Sequence, residues 1–74
     1  MAIKITQQIF NGIEFVRKSG EYNMLDRYTV ARMCNERGYY DAAIWITENE
    51  RLYTRLLFEG YEIVEPESIN EEEE

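Results

Sequence analysis

Cys34 is the only cysteine of this chain, and histidine is absent. Neither an internal disulfide nor a cysteine–histidine zinc site can therefore staple it. Only oxygen ligands remain for a metal, and the acids show no calcium-loop spacing. A chain of 74 residues buries about 60% of its unfolded surface, which leaves a net stability of a few kcal/mol. Such a chain must rely on its own packing or on packing shared with a second subunit. Aromatic side chains are the available material: ten residues are Phe, Trp or Tyr. That is more than so small a core hides, so part of the set is expected on a partner surface.

Charge is distributed unevenly. All eight Lys and Arg lie between Lys4 and Arg55, whereas six of the fifteen acids fall in the last ten residues. Residues 1–64 carry nine acids against eight bases, and residues 65–74 supply the rest of the formal charge of -7. The chain reads as a nearly neutral domain, 1–64, followed by an acidic tail, 65–74, that is expected to be disordered. The run Glu71, Glu72, Glu73 and Glu74 is the candidate electrostatic handle. No stretch is long and apolar enough to span a membrane. The lone cysteine and the mixed polar start, Met1 to Gln8, point to a cytosolic protein without a leader.

Periodicity predicts an all-α fold, a compact three- or four-helix domain with a short extended segment near residues 61–64. Ile5, Ile9, Ile13 and Val16 recur at helical spacing, and Ser19-Gly20 offers a stop. A hairpin is the rival, because Asn11-Gly12 is a strong turn signal and Ile3, Ile5, Ile13 and Phe15 alternate. The four-residue spacing covers the segment better. Asp26 is placed to cap a second helix, with Leu25 and Val30 as its hydrophobic staple and Gly38 as its end. Asp41 repeats the device, with Tyr40 and Trp45 in the staple positions. Thr47 to Glu50 has capping-box spacing, so residues 42–59 read as one helix or two, with Gly60 closing the last.

Chemistry is scarce in this pattern. Without histidine there is no ordinary general base, the glycines are isolated, and Asp26 and Asp41 read as caps; no enzyme activity, cofactor or metal is expected. Cys34, among helix-favouring residues, reads as a small core side chain. The spacing of Met33-Cys34, Gly38-Tyr39 and Ile44 is that of a helix-turn-helix. Its second helix would carry acids at both ends and no Lys or Arg, which disfavours direct DNA binding. The arginines are expected on a solvated face, paired with Glu36, Glu48 and Glu59. The candidate protein interface is Tyr22, Asn23, Tyr39, Tyr40, Trp45 and Tyr53, since Tyr and Trp are enriched among interface anchors.

Arg17 to Asp26 reads Arg-Lys-Ser-Gly-Glu-Tyr-Asn-Met-Leu-Asp, followed by Val30-Ala31-Arg32, Arg37-Gly38-Tyr39-Tyr40, Tyr53 and Gly60. Over residues 5–61 this resembles a family of small phage and prophage proteins filed as a domain of unknown function, marked by Ser-Gly-x-x-Asn-Met-apolar-Asp. Asn23-Met24-Leu25-Asp26 is its most specific part. The resemblance implies a phage-related origin and a helical fold, and assigns no activity. The expected function is that of a non-enzymatic accessory protein that binds a host protein in the bacterial cytoplasm, such as a nucleic-acid-handling or defence machine with a basic groove. The alternatives are a self-assembling homodimer and a transcription-related helix-turn-helix module.

Overall fold

The computed structural model describes residues 2–66, so the expectations for Glu71 to Glu74 and most of the acidic tail lie outside the described residues. Within them the chain runs β1 (Ile3–Ile5), α1 (Gln7–Ser19), α2 (Arg27–Glu36), α3 (Tyr40–Glu48), α4 (Glu50–Glu59) and β2 (Tyr61–Ile63). The fold is mostly helical, as the periodicity predicts, with one addition. Ile5 does not start the first helix. It lies in β1, which pairs in parallel with β2, Ile3 opposite Tyr61 and Ile5 opposite Ile63. The extended segment near 61–64 thus finds its partner at the other end of the domain.

Thr6 separates strand from helix. Its hydroxyl accepts from the Ile9 amide at 3.3 Å, which satisfies one of the free donors of the first turn. Helix α1 then buries Ile9, Gly12, Ile13 and Val16 and ends at Gly20, whose φ of 70° is left-handed. Asn11-Gly12 is therefore not a turn. A Cβ at Gly12 would lie 2.4 Å from the Ala42 Cβ and 2.9 Å from the Tyr39 Cβ, so the glycine lets α1 cross α3 closely.

The second helix starts as expected. Asn23 Oδ1 accepts from the Leu25 amide at 2.9 Å, and the Asp26 amide donates to the Asn23 carbonyl at 2.9 Å. Asp26 then caps α2, accepting from the Thr29 amide at 3.3 Å and from its hydroxyl at 2.6 Å. These bonds hold the Asp26 carboxyl below the usual carboxylate range. The staple does not form. The Asn23 turn swings Leu25 outward, where it is 61% exposed, while half-buried Met24 packs against the core instead. Leu25→Ala should accordingly lower the unfolding free energy, measured in urea, by no more than about 0.5 kcal/mol; a loss of about 2 kcal/mol would place the side chain in the core.

Asp41 is not the cap of the third helix. Gly38, at φ 88°, turns the chain so tightly that the Tyr39 amide reaches the Cys34 carbonyl at 2.8 Å. Helix α3 consequently starts at Tyr40, with Tyr39 in the cap position and Asp41 in the first turn, where its charge complements the helix dipole. The second staple also fails, since Tyr40 is 60% exposed while Trp45 is buried.

Residues 42–59 form two helices, broken at Asn49 (φ −127°, ψ 62°) rather than at Thr47. Both the amide and the side-chain Nδ2 of Asn49 donate to the Trp45 carbonyl, at 2.9 and 3.0 Å. Arg27 closes the same helix end: its Nη1 donates to the Ile46 and Thr47 carbonyls at 3.2 and 3.3 Å. Cations at helix C-termini complement the exposed carbonyls. Arg27 is thus a structural cap, whereas Arg55 pairs with Glu59 at 3.1 Å on an exposed face, as expected.

The core centres on Ile5, Val16, Val30, Cys34, Ile46 and Tyr53, each below 2% exposure. Burial pushes the Cys34 thiol from an ordinary value near 9 up to about 11, and the Tyr53 phenol from near 10 up to about 12. Both are acids kept neutral in the fold. Between about pH 9 and pH 12 the unfolded chain releases protons that the folded chain retains, so stability falls as pH rises through this window. The urea midpoint should be flat up to about pH 9 and then decline. Tyr53→Phe should remove the part of the decline above about pH 10; an unchanged slope there would assign the effect to other groups.

Candidate protein-binding surface

The six candidate interface residues divide by depth. Tyr53 is 1% and Trp45 8% exposed, so neither reaches a partner without opening the fold. The Tyr53 hydroxyl donates to the Met24 carbonyl at 2.5 Å, which pins the loop before α2 to α4. Tyr22 and Tyr39 are half-buried and pack against the core. The Tyr39 ring lies 5.4 Å from that of Phe15, and the Arg37 guanidinium sits 5.5 Å over the same Phe15 ring. Asn23 is exposed, but its side chain is engaged in the turn. Tyr40 alone of the six projects strongly from the body.

Tyr40 has a neighbour that the list of candidates lacks. Ile44, 55% exposed, follows it by one helical turn, so the two side chains share the outward face of α3. The reason lies in helical phase. Ala42, Ala43, Trp45 and Ile46 are the buried residues of α3, and they occupy the whole inward face. An apolar residue between those pairs must then face out, and this signal was present in the sequence. Asp41, Thr47 and Glu48 are the other exposed side chains of the helix. Among the exposed side chains of α3 the apolar pair is accompanied by two acids and by no Lys or Arg.

Helices α2 and α3 are joined by the short connection through Arg37, Gly38 and Tyr39 and pack against each other, with α1 packed against both. Among the described residues, no group of three or more His, Cys, Asp or Glu is arranged to hold a metal ion. The Cys34 thiol is buried and held neutral, the opposite of the exposed low-pKa thiolate that nucleophilic chemistry needs. No described helix is long and apolar enough to cross a membrane.

A family model described as a domain of unknown function, DUF5049, matches residues 1–61, from before β1 to the first residue of β2. No curated protein and no solved structure gives a significant match.

Proposed function

The chain belongs to the DUF5049 family, and from that premise we propose that it is a non-enzymatic, phage-related accessory protein that acts by binding another protein. The observation that carries this reading is the exposed Tyr40–Ile44 pair on α3. Two large apolar side chains one turn apart, on a helix held from behind by α1 and α2, make a rigid anchor of the kind that interfaces use. The partner best suited to the charge is a host protein with a basic, nucleic-acid-binding groove. The six acids of residues 65–74 would speed association with such a groove, an effect that salt suppresses.

The test is affinity capture from bacterial lysate, comparing the native chain with the Tyr40→Ala/Ile44→Ala double variant. One dominant partner, retained by the native chain and lost by the variant, supports the reading. Recovery of the chain alone would favour self-assembly, and equal capture by both proteins would remove the α3 face from the interface.

Helices α2 and α3, packed together and joined by residues 37–39, support a second reading, a transcription-related helix-turn-helix-like module. The exposed side chains of α3 include Asp41 and Glu48 and no Lys or Arg. Phosphate contacts supply most DNA affinity, so a module of this kind would work through a protein bound to DNA rather than on the duplex itself.

A further inference from the structure

The two-stranded sheet is unfinished at β2. In a parallel pair every second residue of a strand bonds to the two residues that flank its opposite number. Ile3 donates to the Gly60 carbonyl at 3.2 Å, and Val64 donates to the Ile5 carbonyl at 2.8 Å. The peptide groups at 60, 62 and 64 therefore face β1, and those of Tyr61 and Ile63 face away from it. The sheet has only these two strands among the described residues, and every residue of β2 is exposed. An open strand edge of this kind is a template for a further strand.

The side chains carry the same message. Register puts Tyr61 and Ile63 on the face of the sheet that holds Ile3 and Ile5. Ile3 and Ile5 are buried, whereas Tyr61 and Ile63 remain 43% and 42% exposed. The Phe10 ring, 5.3 Å from that of Tyr61, extends the apolar row under the edge. Past the end of β2 lies a groove of about 480 Å³ lined by Gln7, Gln8, Ile63, Val64, Glu65 and Pro66. The apolar row of β1 thus continues onto β2, where it is only partly covered.

Charge selects the occupant. Glu62 lies on the opposite face with Lys4 beside it across the pair. A second copy added antiparallel about Glu62 would bring the two Glu62 side chains together, and like charges directly opposite are destabilising. Each copy would also bring the six acids of residues 65–74. A strand with Lys or Arg on that face would instead give a cation–Glu62–Lys4 ladder. We infer that the outer edge of β2 binds an extended basic segment of another protein, with apolar side chains over Tyr61 and Ile63 and a Lys or Arg beside Glu62. This site is separate from the α3 face and stands whether or not that face binds.

The probe is an eight-residue peptide of alternating Val and Lys with blocked ends, titrated into the full chain and followed by fluorescence anisotropy and amide shifts. Saturable binding should move the Tyr61 and Ile63 amides. Methylating two adjacent central nitrogens of the peptide, so that neither of its edges bonds there, should weaken binding about tenfold or more. Ile63→Pro, which removes an outward donor and leaves every acid in place, should do the same, as should Glu62→Lys. Tyr40→Ala/Ile44→Ala should leave binding unchanged. Equal affinity for the methylated peptide, or for one of alternating Val and Glu, would overturn the proposal, because charge or stickiness alone would then explain binding. Concentration-dependent shifts of Tyr61 and Ile63 without peptide would overturn it in favour of a second copy. Should Ile63→Pro fail to fold, the methylated peptide on the native chain decides.

Discussion

Gly12→Ala should lower the melting temperature by about 10 °C, against the helix propensity of the two residues. In an unobstructed helix the change would stabilise by about 1 kcal/mol. Here the new Cβ would sit 2.4 Å from the Ala42 Cβ and 2.9 Å from the Tyr39 Cβ, with the Cys34 sulfur at 3.2 Å. The two carbons are fixed to backbone, so the clash is relieved only by moving α1 off α3. Overpacking of this kind costs about 1–3 kcal/mol, and a site with no flexible neighbour belongs at the upper end. Each kcal/mol corresponds to about 4–8 °C in a domain of this size. Ala42→Gly in the same chain should restore part of the loss, and the double-mutant cycle measures the contact. A melting point that rises would mean that α1 and α3 do not approach this closely.

Tyr53 should be the costliest aromatic to truncate. Its ring is 1% exposed, and its hydroxyl reaches the Met24 carbonyl across the core. Tyr53→Ala should cost about 3–5 kcal/mol, which is comparable to the whole stability of so small a domain. Circular dichroism of the variant should report a largely unfolded chain. Tyr53→Phe separates the two contributions: it keeps the ring and removes the bond, at a cost of about 1–3 kcal/mol with the carbonyl left behind. Equal losses for the two variants would mean that the hydroxyl rather than the ring anchors the loop.

What the sequence revealed was the chemistry that acts over short range. The Asp26 cap needs only the amide and hydroxyl of Thr29, three residues on, and Gly20 and Gly38 adopt the positive φ that ends a helix. The errors arose where a distant contact decided. Ile3–Ile5 is extended because Tyr61–Ile63 lies beside it, and three residues carry too little pattern to announce that. Asn11-Gly12 looks like a turn until α3 is placed across it. Leu25 is a local exception: it and Met24 are both apolar, and the Asn23 turn two residues away determines which of them faces inward. The candidate interface mixed exposed and interior aromatics because composition does not distinguish a core ring from an anchor. Helical phase does: Trp45 shares the inward face with Ala42 and Ile46, and Tyr40 and Ile44 are left outside.

The β1–β2 pairing also orders events during synthesis. Contacts among α1, α2 and α3 span shorter stretches of chain than the pairing of β1 with β2 and are quicker to form. Ile3 and Ile5, which end up buried, leave the ribosome long before Tyr61–Ile63 does, and until then their strand has no mate. The nascent helices must therefore wait with one apolar flank uncovered, the situation in which growing chains stick to one another or engage chaperones. Gly60 and β2, the last elements to be made, complete the domain, so a chain truncated just short of Gly60 keeps its helices and leaves its seam open.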